Sequence, residues 1–192
     1  MNARILRGTA AALVVTAASR VIQASPQLSA GVTAGAAGKG DRSQLWTSTE
    51  LTFGLRSELL LGRARNADLG VGPYAEVLTT SGFSDLQVGA GLTWLLPVHP
   101  DLPLLMSAGG YLGDSPTWGW EPGLAGELFW GSHSYNYHSF YALDAGLFAG
   151  GRYALGPSRD VTVLVGLRLD LELIALPFLL AWGAFRGGDP AR

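Results

Sequence analysis

No cysteine occurs among the 192 residues. Disulfides, thiolate metal sites and cysteine nucleophiles are therefore excluded together, and the redox compartment is left open. Lysine is almost as scarce, since 12 of the 13 basic residues are arginine and Lys39 stands alone. Charged residues make up only 15% of the chain and hydrophobic ones 48%, which is a lean supply of charge for a protein that wets its whole surface. Basic clusters are missing too, and with them the electrostatic footprint of a nucleic-acid partner. The apolar stretches at 8–19 and 174–182 fall short of the ~20 residues that a spanning helix needs. The 27 glycines follow no Gly-X-Y period, so collagen is excluded and a strand-rich, turn-rich chain is expected.

The first 24 residues read as a signal peptide. Arg4 and Arg7 precede the apolar stretch GTAAALVVTAAS, and small residues follow at Ala17, Ala18, Ala24 and Ser25, the order found in secretory leaders. A retained anchor is the alternative, and cleavage after Ala18 competes with cleavage after Ala24. Loss of residues 1–24 removes Arg4, Arg7 and Arg20 and no acid, so the net charge moves from -2 to -5.

Beyond the leader the chain alternates with a period of two. From Leu45 one parity runs Leu45, Thr47, Thr49, Leu51, Phe53, Leu55, Ser57, Leu59 and Leu61, while the other carries Glu50, Arg56 and Glu58. On a helix those three charges would scatter around the axis, whereas on a strand they share one side. The same alternation returns at 27–38, 68–80, 85–94, 103–113, 118–131, 138–154 and 161–173, and short glycine-, proline- and aspartate-rich connections separate the segments. Eight strands joined by hairpins imply an antiparallel up-and-down meander.

Alternation does not reveal which face is inside, because a soluble sandwich or lipocalin-like barrel alternates as well. Three features favour apolar residues on the outside. The polar parity is glycine, serine, threonine and charges of both signs rather than lysine-rich surface. Several segments reach the ~9 to 11 residues with which a tilted strand crosses hydrocarbon. Trp94, Trp120, Trp130, Tyr141 and Tyr153 lie near the ends of the oily faces, where an interfacial aromatic girdle sits.

On these segments the chain resembles the small eight-stranded outer-membrane β-barrels of Gram-negative bacteria, a resemblance of pattern over residues 27–174. It implies an all-β fold, an eight-stranded antiparallel up-and-down transmembrane barrel, with an outer-membrane location and membrane lipid as partner. A secreted or periplasmic soluble barrel is the alternative. The organisation expected is a signal peptide at 1–24, a barrel at 27–174, and a short C-terminal helix and tail at 175–192, with the helix started by Pro177 and stopped by Gly187 and Gly188. Closure would remove every sheet edge, and eight strands leave room for side chains but not for a wide pore. The packed polar lumen is expected to hold Glu50, Arg56, Glu58, Glu76, Asp85, Glu121, Glu127, Asp144, Arg152, Arg168, Asp170 and Glu172.

Candidate chemistry is sparse. His133 and His138 are five apart and give no metal-ligand spacing, and solvent-facing loop positions are expected for both. A triad with Ser134, Ser139 and Asp144 would make the chain a lipid-modifying barrel hydrolase. GAGLTW at 89–94 lacks the strand-to-helix setting of a dinucleotide loop. Arg63 and Arg65 read as a solvated turn near lipid headgroups. The residues thus assign no catalytic set, no cofactor and no metal, and the function expected is a structural, surface-interaction or small-solute role, with the hydrolase and a soluble barrel for a small apolar ligand as alternatives.

Overall fold

The computed structural model describes residues 26–41, 43–80, 83–99, 101–115, 117–134 and 141–186. Residues 1–25, which include the signal peptide expected at 1–24, fall outside them, as do His138, Ser139, Gly187 and Gly188. Among the described residues the chain forms β1 (Gln27–Gly40), β2 (Ser48–Leu60), β3 (Gly70–Thr80), β4 (Asp85–Leu96), β5 (Leu104–Ser115), β6 (Gly119–His133), β7 (Asp144–Ala154), β8 (Val161–Asp170) and the helix α1 (Leu171–Arg186). Each strand pairs antiparallel with its neighbours in sequence, and β8 pairs with β1, which closes an up-and-down barrel.

The register fixes the strand tilt. Stepping sideways from Ser29 through paired residues passes Glu58, Tyr74, Gly91, Gly109, Ala125, Arg152 and Thr162, and returns to β1 at Lys39. One circuit therefore climbs ten residues, from 29 to 39. Strand number and stagger together determine tilt and diameter, and eight strands at this stagger lean ~40° from the axis around an interior that side chains fill.

The two faces have opposite chemistry. Arg56, Glu58, Glu76, Thr93, Ser107, Glu121, Arg152 and Arg168 are buried, whereas Leu51, Leu55, Leu92, Leu124, Leu147 and Leu167 are exposed on the outer wall. Interior aromatic rings occupy space left by glycine. A Cβ on Gly109 would stand 2.6 Å from the Tyr74 hydroxyl and 2.8 Å from the Gly91 Cα. Gly109→Val is accordingly expected to lower unfolding stability by ~1 to 3 kcal/mol, the usual cost of overpacking, as read by urea titration of the refolded protein. Pro73 interrupts the ladder between β2 and β3, which runs from Thr52↔Thr80 to Glu58↔Tyr74 and resumes at the isolated bridge Leu61↔Val71; proline has no N–H to donate there.

Several boundaries differ from the sequence expectation. β8 ends at Asp170 rather than 173, and α1 starts at Leu171 with Pro177 inside it. The Asp170 carboxylate accepts a hydrogen bond from the Glu172 backbone N–H at 2.7 Å, so Asp170 is the helix N-cap. Glu172 consequently leaves the lumen set: it lies exposed in the first helical turn, where a negative charge favours the helix dipole. β7 begins at Asp144, not 138, and Tyr141 does not join an outer girdle. Its hydroxyl donates to the Asp170 carboxylate at 3.0 Å, which holds Tyr141 against the rim. Burial, then this hydrogen bond, raises the Tyr141 phenol pKa. Arg63 and His133, expected in solvent, are both buried. Gly62 takes a positive φ of 82°, and the turn after it carries Arg63 inward, where Nη2 donates to the His133 carbonyl at 3.3 Å.

Candidate functional site

The interior has three levels, and the middle one is an ion-pair lattice. Arg56 and Glu58 lie two apart on β2 and so face the same way, with Glu76 of β3 directly opposite Arg56. Arg56 donates Nε to Glu58 at 2.5 Å, Nη1 to Glu76 at 3.3 Å and Nη2 to the Ser107 hydroxyl at 2.5 Å. Arg152 of β7 donates to Glu76 and to Gln87, each at 2.7 Å. Arg168 of β8 donates to Glu58 at 3.3 Å and closely to Glu127 of β6. Glu127 also lies 3.7 Å from Arg56. Each of the three carboxylates is thus shared between two guanidinium groups, and three acids balance three bases. The guanidinium of Arg56 stacks 3.8 Å from the Tyr74 ring centroid, that of Arg152 lies 5.3 Å from Tyr111, and that of Arg168 5.0 Å from Phe129. These contacts add cation–π attraction in a site shielded from water.

The second level is the mouth at the barrel end opposite α1. A cavity of about 330 Å³ opens there, lined by Lys39, Glu50, Asp85, Tyr111, Glu121 and Asp160 among others. The Lys39 ammonium sits between Glu50, at 2.9 Å, and Asp85, which also accepts from the Thr80 hydroxyl at 3.1 Å. Glu121 accepts from the Ser158 backbone N–H at 3.1 Å. Burial, and then the neighbouring Glu121 carboxylate, pushes the Asp160 carboxyl pKa up.

The third level, at the helix end, is sealed. Leu60, Leu95, Leu105 and Phe129 are buried to 1% exposure or less, with Pro103 beside them. His133 and Asp144 are register partners across β6 and β7, and both are buried. Among the described residues no hydrogen bond joins His133 to Asp144 or Ser134. The Ser134 hydroxyl instead donates to the Leu143 carbonyl at 3.4 Å. The described residues include no group of three His, Asp or Glu side chains that could hold a metal.

Eleven of the twelve residues expected in the lumen lie on its faces, with Glu172 as the exception. They do not form one network. Arg56, Glu58, Glu76, Glu127, Arg152 and Arg168 make up the lattice, Glu50, Asp85 and Glu121 belong to the mouth, and Asp144 and Asp170 lie at the sealed end. Sequence reasoning missed Lys39, although it continues the parity of Ser29, Gly31, Thr33 and Gly35 once β1 is extended to Gly40. It also missed Ser107 and Gln87, short polar side chains on the same interior parity as the charges they bind.

No protein-family model matches the chain, and no curated protein matches it. Among solved structures it is similar to a de novo designed transmembrane β-barrel, with 10% identity over 74% of this chain and 95% of that one and a TM-score of 0.39. It is also similar to the outer-membrane protein Ail of Yersinia pestis, determined in a phospholipid bilayer nanodisc, with 13% identity over 74% of this chain and 99% of that one and a TM-score of 0.40.

Proposed function

We propose that this chain is an integral outer-membrane barrel with a structural or surface-contact role and a lumen that does not conduct. The carrying observation is the inverted polarity of the wall, with ion pairs buried inside and leucine, valine and tryptophan exposed outside. A soluble barrel of this size would leave a large apolar surface in water, well beyond the patches that monomers tolerate. The belt also has the right height. Trp120 and Trp130 stand ten residues apart on the outer face of β6, each about half exposed. At ~3.3 Å per residue and a ~40° lean, that separation rises ~25 Å along the barrel axis, the height of the apolar band in such barrels.

The sealed end and the arginine lattice speak against solute flow, and an interior filled with paired charges speaks against a cavity for an apolar ligand. The hydrolase reading loses its described base, because His133 points into the barrel rather than toward lipid. The test is extraction and conductance. The protein is expected to leave the membrane fraction only with detergent, to give a strand-dominated circular dichroism spectrum there, and to show no stepwise current in planar bilayers. Recovery as a detergent-free soluble monomer would overturn the membrane reading, and steady channel openings the closed lumen.

A further inference from the structure

We infer that α1 is immersed in the hydrocarbon of the bilayer beside the helix-end rim, with lipid acyl chains as its partner; the inference rests on the membrane reading of the barrel. Glu172 is in the first turn and Arg186 in the last, and between them residues 173–185 include no charged side chain. A helix that is apolar all round has no face to leave in water, and this separates immersion from the surface-lying amphipathic helix, which keeps a polar face wet.

The barrel does not cover the side chains of this surface whose exposure is described. α1 meets β8 and β1 at its start, yet Leu173, Ile174 and Leu176 stay exposed and Phe178 is 73% exposed. Nor is the surface isolated. Leu167 and Leu169 are exposed on the outer face of β8, and Leu171 follows Asp170 without a connecting residue. The apolar belt of the wall therefore runs on into the helix with Glu172 as the one charge at the junction, and one medium can cover both. The Asp170 cap and the Tyr141 hydroxyl on the same carboxylate hold the first turn to the rim. Sixteen residues at ~1.5 Å each give ~24 Å, less than the ~30 Å of the hydrocarbon core, so α1 cannot cross it, and the charged residues of its first and last turns, Glu172 and Arg186, keep both ends at one interface with the apolar residues between them immersed.

The absence of native cysteine makes the test direct. Single variants Phe178→Cys and, as a wall control, Leu124→Cys are spin-labelled in the full chain and reconstituted into phosphatidylcholine–phosphatidylglycerol vesicles. Collisions with oxygen, which partitions into lipid, are compared with collisions with a water-soluble nickel chelate. The expected result is an oxygen-dominated response at both positions. Nickel-dominated collisions at 178 with an oxygen-dominated wall would overturn the inference alone and leave α1 in water. Exclusion of both reagents at 178 would also overturn it, in favour of a protein partner such as a second copy. Nickel-dominated collisions at both positions would remove the membrane reading itself.

Discussion

Arg56→Met is expected to cost ~3 to 5 kcal/mol of unfolding stability, because it strands buried carboxylates that have lost their counter-charge. The Arg56 and Glu58 side chains are each 2% exposed. Without the guanidinium, Glu58 keeps only the 3.3 Å contact to Arg168, and Glu76 only Arg152. Ser107 and the Tyr74 ring lose a partner as well. The companion double variant Arg56→Met with Glu58→Met is expected to be clearly more stable than the single one. It removes a base and an acid together and leaves the Arg152–Glu76 and Arg168–Glu127 pairs intact. Replacing a buried pair by apolar side chains of similar size is often close to neutral, whereas breaking one is not. Urea unfolding in detergent micelles, followed by tryptophan fluorescence over the two singles and the double, measures the coupling. Additive losses across that cycle would mean that the two groups do not act as a pair.

Leu124→Arg is expected to cost ~2 to 4 kcal/mol when the protein is unfolded from a bilayer, the loss associated with arginine at the midplane of a barrel wall. Leu124 is 56% exposed and lies on β6 between Trp120 and Trp130. Its exposure would make the same change nearly silent in a soluble protein, where surface substitutions stay within ~0.5 kcal/mol. Ser132, on the same face two residues beyond Trp130, supplies the comparison: Ser132→Arg is expected to cost only ~0 to 1 kcal/mol because it lies near the interface. Equal effects at the two positions would contradict a hydrocarbon slab centred on the wall. The pair thus reads depth directly, which neither variant does alone.

Most of the fold was legible because a two-residue period is a geometric signature. Glu50, Arg56 and Glu58 can share one side only on a strand, and once they do, the facing of every neighbour in β2 follows. The same reasoning placed the six members of the central lattice among the twelve residues expected in the lumen, without separating them from the other six. It could not pair them, because Arg168 meets Glu58 only after β8 has come round to close on β1. The end of β8 was misplaced because Leu171, Glu172 and Leu173 continue the alternation across the point where the chain turns helical. The competing signal was Asp170 with Glu172 two residues on, an N-cap with an acid in the first turn. Lys39 was lost at the opposite boundary, where a glycine on each side reads as a turn while the register carries the strand to Gly40. His133 continues the parity of Glu121 and Glu127 once β6 is extended to 133, whereas Arg63 had no signal of this kind. Its burial depends on the turn after Gly62 and on the contact with the His133 carbonyl, a tertiary event that local spacing does not encode.

Closure between β1 and β8 sets a timetable for assembly. Seven ladders join strands adjacent in sequence and can zip locally, but the eighth joins partners such as Gly31 and Asp170 from opposite ends of the barrel sequence. Contacts of such long range form slowly, since the entropy of drawing distant segments together is lost before the contact is made. Until that seam shuts, the half-finished sheet carries two raw margins of unpaired amides, which hydrocarbon does not accept. On the membrane reading proposed above, entry into the bilayer and fastening of the seam are therefore expected to proceed together.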